Sequence, residues 1–81
     1  MDILKEDLLN SVEGKTISVE METEYTKSII VLDYVFIDSD ENLCSGNNEL
    51  HFDWDMADIK KSDDIFIVTY PTVSYIISVG E

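Results

Sequence analysis

Eighty-one residues carry 18 Asp and Glu against five Lys, a formal charge of −13. A chain this short supports one hydrophobic core, so residues 1–81 read as a single domain, and its 44% hydrophobic content is too rich for the disordered class. The charge excludes direct binding to nucleic acid or anionic lipid, both of which need a basic footprint.

Residues 2–12 read as a short amphipathic helix. Ile3, Leu4, Leu8, Leu9 and Val12 recur at helical spacing, Asp2 and Glu6 place acid near the positive end of the helix dipole, and Gly14 ends the element. From Lys15 the period changes to two. Over 16–24, Ile17, Val19 and Met21 share one face, and Ser18, Glu20, Glu22 and Glu24 lie on the other or at its end, a half-buried strand with an acidic outside. Over 28–37 both faces are apolar, interrupted by Asp33. Such a strand is either central in a sheet or bent, so that its two ends enter different layers.

The stretch 38–48, DSDENLCSGNN, is rich in turn-forming residues and joins strands. A third strand over 50–55 follows, with Leu50, Phe52 and Trp54 inward and His51, Asp53 and Asp55 outward. Residues 56–61 fit either a helical turn or more strand. A turn at 62–64 precedes strands at 65–70 and 73–79, separated by Pro71. The expected fold is mainly β: a short N-terminal helix packed on a strongly bent five-stranded antiparallel sheet, or a small Sm-like or SH3-like barrel. That comparison is one of architecture, since the Asp-x-Met-Asn and Arg-Gly signatures of the Sm family are absent. Phe36, Phe52, Trp54, Phe66, Tyr70 and Tyr75 form the expected aromatic core, with Tyr25 or Tyr70 as candidate exposed anchors among the acids.

Three constellations bear on chemistry. Asp38, Asp40, Asn42 and Glu49 fall at positions 1, 3, 5 and 12 of an EF-hand calcium loop, but Leu43 stands where glycine is needed and strands replace the flanking helices. No physiological metal site or other cofactor is therefore expected. His51 reads as a surface strand residue, and the single cysteine, Cys44, lacks a basic sequence neighbour to activate it. No nucleophile, base and oxyanion donor assemble into a set, so an enzyme is not expected.

The carboxylates form the third constellation. Residues two apart on a strand lie about 6.6–6.8 Å apart on one face, which turns Glu20, Glu22 and Glu24 into one row of negative charge and Asp53 and Asp55, with Asp58 beyond them, into a second. DNA presents one charge per roughly 1.7 Å of axis, and a groove that neutralises it accepts a rigid carboxylate array of similar contour. The expected function is a small inhibitor of the phage anti-defence type. It would block a basic protein, a nuclease or another nucleic-acid-binding protein, by charge mimicry. An immunity protein against a basic nuclease toxin needs the same electrostatics, and an acidic β-module that assembles through its sheet edge needs none of them. The N-terminus lacks the pattern of a signal peptide and no apolar run reaches membrane-spanning length, so a cytoplasmic protein away from membranes is expected.

Overall fold

A computed structural model describes residues 3–46 and 48–80. One helix and eight strands follow in chain order: α1 (Ile3–Val12), β1 (Ile17–Thr23), β2 (Lys27–Leu32), β3 (Phe36–Ile37), β4 (Leu43–Ser45), β5 (Asn48–Leu50), β6 (Asp58–Ser62), β7 (Ile65–Thr69) and β8 (Val73–Val79). The fold is mainly β, as the sustained two-residue period requires. The expected first residue of the helix, Asp2, lies outside the described residues.

Helix α1 ends where Gly14 adopts φ 77°, a left-handed conformation that costs a side-chain-bearing residue more. The Gly14 N–H then donates to the Val35 carbonyl at 2.7 Å, and the Val35 N–H to Lys15 at 3.0 Å, which tie the helix exit to the chain after β2. Leu8 and Val12 are fully buried and Leu4 and Leu9 half-buried, whereas Ile3 is exposed and does not join the apolar stripe.

Five strands form one antiparallel sheet in the order β2-β1-β8-β7-β6, and β3-β4-β5 form a second, three-stranded sheet. The five are not the five the pattern suggests. The expected strand over 50–55 stops at Leu50, residues 54–56 form a turn, and β6 over 58–62 takes a place in the large sheet. The segment 38–48, expected as a loop, holds β4 and the start of β5. Its residue Asn47 lies outside the described residues.

The doubly apolar segment 28–37 is bent rather than central. Asp33 and Tyr34 break it, with Tyr34 at φ 51°, so that β2 belongs to the large sheet and β3 to the small one. β2 is in fact an edge strand, and Ile29, Ile30 and Val31 are exposed. Phe36, expected in the core, is half exposed because β3 pairs only with β4 at the surface.

One contiguous core lies on the inner face of the large sheet. Ile17, Val19, Leu32, Ile59, Phe66, Val68 and Ile77 supply that face, and Leu8, Val12, Val35, Leu43, Leu50 and Phe52 cover it. Trp54 packs at the margin, half-buried, with its ring 4.9 Å from Phe52 and its Nε1–H donating to the Glu41 carbonyl at 3.0 Å. The expected full burial of Trp54 fails because the chain leaves strand geometry after Leu50. At the far end Gly80 donates to the Thr16 carbonyl at 2.8 Å, and a Cβ on residue 80 would stand 2.9 Å from that oxygen. The close approach fastens the end of β8 beside the start of β1.

The outer face differs from the expected acidic one. Register places Ile29, Glu20, Ile76, Ile67 and Lys60 side by side across the five strands, with Val31, Ser18, Ser78, Ile65 and Ser62 in another row of the same face. Its composition is mixed apolar and polar, with the acid concentrated toward one end.

Candidate functional site

That end is built by two hairpins. Between β1 and β2 the chain turns on Glu24 and Tyr25 alone, and no glycine is needed because Thr23 supplies the turn bonds. Its Oγ1 accepts from the Tyr25 N–H at 3.3 Å and the Thr26 N–H at 3.1 Å, while its own N–H donates to the Thr26 carbonyl at 2.9 Å. Between β7 and β8, Pro71 and Thr72 form the second turn, closed by the Tyr70 N–H on the Val73 carbonyl at 2.8 Å. An open groove of roughly 600 Å³ runs between the turns, lined by Glu22, Glu24, Tyr25, Tyr70, Pro71 and Val73 among others.

The predicted partner-binding carboxylates are not two strand rows. Glu20 and Glu22 do share the outer face of β1, but Lys27 on β2 lies 3.6 Å from one and 3.8 Å from the other and offsets part of their charge. Glu24 has left the strand for the turn. Asp53 and Asp55 stand in a turn as well, where Asp53 Oδ1 accepts the Asp55 N–H at 3.2 Å and the Asp53 carbonyl accepts the Met56 N–H at 3.1 Å. Asp58 opens β6 opposite Thr69, in the lateral row that continues through Ser74 to Glu22. Three strand spacings put Glu22 and Asp58 about 14 Å apart at one end of the sheet.

Tyr25 is 88% exposed and stands among these acids. Tyr70, the other anchor candidate, is half-buried, and its rings with Tyr75 and Tyr75 with Phe52 meet edge-on at 5.9 and 5.1 Å. Its hydroxyl is buried without a hydrogen-bond partner among the described residues, and burial pushes the phenol up. The Asp53 backbone opposes that rise in part.

The calcium-loop reading separates into parts that meet and parts that do not. Asp38 Oδ1 accepts the N–H groups of Asp40 and Asn42, both at 2.9 Å, and Oδ2 accepts the Asn42 side-chain amide at 3.2 Å and the Cys44 thiol at 3.7 Å. These bonds, the Asn42 backbone one foremost, hold the Asp38 carboxyl below its usual range. The carboxylate organises a turn, in which Glu41 takes φ 64°, and its oxygens accept from the loop's own donors instead of converging with Asp40 on a cation as EF-hand ligands do. Ligand atoms of Asp38, Cys44 and Glu49 come within 4.8 Å of one another, a grouping that sequence spacing could not show because β4–β5 pairing creates it. Asp40 stands outside it.

Cys44 is buried on β4, and burial, then Asp38 and Glu49, push its thiol up, away from the reactive thiolate. His51 is exposed, with Nε2 3.5 Å from Glu49. Among the described residues no helix is long and apolar enough to cross a membrane. Comparison with protein families, characterised proteins and solved structures gives no match, so the role of the groove rests on its own geometry.

Proposed function

We propose that this chain is a binding protein that occludes the groove of a basic, nucleic-acid-handling protein through the acidic end of its large sheet. The observation that carries this reading is Tyr25, 88% exposed on a hydrogen-bonded two-residue turn beside Glu22 and Glu24, with Asp58 on the same face as Glu22. An exposed ring held among carboxylates suits an incoming Lys or Arg, which gains a charge partner and an aromatic face together. The remaining acid, from a total charge of −13, steers a positive surface toward that end over longer range. Phage anti-defence proteins and immunity proteins against nuclease toxins share this electrostatic requirement, and the partner's identity separates them.

Capture on the immobilised protein, followed by competition with a duplex DNA oligonucleotide, tests the reading. A bound protein released by both the oligonucleotide and high salt is expected. The combined change Glu22→Gln, Glu24→Gln and Asp58→Asn should weaken its binding by roughly tenfold or more, chiefly through slower association at low salt. A partner that survives salt and DNA, or that ignores these changes and Tyr25→Ala, removes charge mimicry as the function.

A further inference from the structure

The two edges of the large sheet are finished in opposite ways. At one edge β6 exposes Asp58, Lys60 and Lys61, and α1 reaches it through the Lys61–Asp7 pair at 2.9 Å. Charge along an edge and an element beside it discourage another strand from pairing there. At the other edge β2 has β1 as its one neighbour among the described residues and exposes Ile29 at 62%, Ile30 at 37% and Val31 at 57%.

Hairpin geometry tells which backbone groups of β2 point outward. The bond from the Thr23 N–H to the Thr26 carbonyl marks that pair as hydrogen-bonded, and antiparallel alternation extends the assignment to Met21–Ser28, Val19–Ile30 and Ile17–Leu32. Lys27, Ile29 and Val31 therefore turn their N–H and C=O groups to the open side. The same three side chains share the outer face.

We propose that β2 is a homodimer interface, pairing antiparallel with β2 of a second copy about a two-fold axis at Ile30. In this register Ile29 lies opposite Val31 of the second copy, Ile30 opposite itself, and Lys27 opposite Asp33. Ile29 and Val31 of both copies then meet as hydrogen-bonded pairs on one face, as the alternation demands, and Lys27 lies beside Asp33, the first residue past the strand, whose carbonyl already accepts from the Ser45 hydroxyl. Sliding by one pair places Lys27 opposite Val31 or Val35, and both ion pairs vanish.

Self-complementarity of this kind, basic at one end, acidic at the other and β-branched between, is what an isologous contact requires and what an unrelated strand has no reason to match. The Lys27 contacts to Glu20 and Glu22, at 3.6 and 3.8 Å, are loose enough to leave an ammonium donor for Asp33 of the second copy. The product is a continuous ten-stranded sheet, five strands from each copy.

Net charge opposes this union, because each copy brings −13. Screening weakens that repulsion, which 13 net charges on each copy make the larger electrostatic effect, and the two ion pairs with it, but leaves the apolar and backbone contacts, so the dimer tightens as salt rises. A charge-steered partner behaves in the opposite way, and the two proposals stand or fall separately.

Sedimentation equilibrium of the whole chain, from micromolar to millimolar at low and high salt, reads the association. A dimer that grows with concentration and with salt is expected. Asp33→Lys sets Lys against Lys27 twice and Lys27→Glu sets Glu against Asp33 twice, so each variant alone should dimerise roughly tenfold more weakly or worse. Mixed one to one, they should recover the association as a heterodimer with both ion pairs restored. Val31→Lys should yield a monomer with an unchanged circular dichroism spectrum, since the side chain is exposed. A chain that stays monomeric to millimolar at high salt overturns the proposal and leaves the edge to a foreign strand. A dimer untouched by Asp33→Lys, or a mixture that fails to recover, overturns it too.

Discussion

Tyr70 carries a buried hydroxyl without a partner among the described residues, and removing it should help the protein. A buried hydroxyl without a hydrogen bond costs about 1–3 kcal/mol of lost hydration, while its ring keeps the edge-on contact with Tyr75. Tyr70→Phe is expected to leave stability unchanged or raise it by up to about 1 kcal/mol, read as a rise in the urea midpoint at constant slope. A loss of more than that would show that the hydroxyl is bonded in solution. Asp38 is the opposite case, a carboxylate whose two oxygens are occupied by four donors of its own loop. Its type and position invite a cation reading from sequence, and only the donors' arrangement reveals a turn-forming role.

At the scale of elements, α1 is too short to be stable alone and depends on the face it buries. Leu8 lies at the centre of that face, fully buried against the core. Leu8→Ala should cost about 2–5 kcal/mol, the lost transfer energy plus the cavity left behind. For a domain of this size that is a large share of total stability. Chemical denaturation of the variant checks it, and a cost under about 1 kcal/mol would mean that the helix is not seated on the sheet. The helix, β1 and β8 were legible because their apolar residues keep one period over seven residues or more, and β7 because a short continuous apolar run lies between turn signals. β3, β4 and β5 hold only two or three residues each, too few for a period to register, and their turn-rich surroundings read as loop.

For the whole molecule the charge sets the dependence on solution conditions. Asp7, chiefly through its bond from Lys61, and Asp38, through its loop bonds, have carboxyls held below the ordinary value of 3.8. Groups depressed on folding add stability that is present above that value and lost as pH falls through their folded values. Self-repulsion runs the other way: it is greatest at neutral pH and least near the isoelectric point of about 4.1. At low salt the melting temperature should therefore rise as pH falls from 8 toward 5 and drop steeply below about 3.8, with high salt flattening the first limb only. Thermal melts across that range at two salt concentrations test this. A melting temperature that falls steadily from pH 8 at low salt would mean that repulsion does not govern stability.

Local pattern and composition carry a mainly β chain with one N-terminal helix, the inward sets Ile17, Val19 and Met21 and Val73, Tyr75, Ile77 and Val79, and a strong negative charge. The break in 28–37 was foreseeable as one of two outcomes of a doubly apolar strand. Tertiary structure alone decided that β2 is an edge with Ile29, Ile30 and Val31 exposed, that Glu22, Glu24 and Asp58 share an end with Tyr25, and that Asp38, Cys44 and Glu49 converge. Alternation says which residues share a face of their own strand. Which strand lies beside which depends on pairings between residues far apart in the chain, and no local period records them.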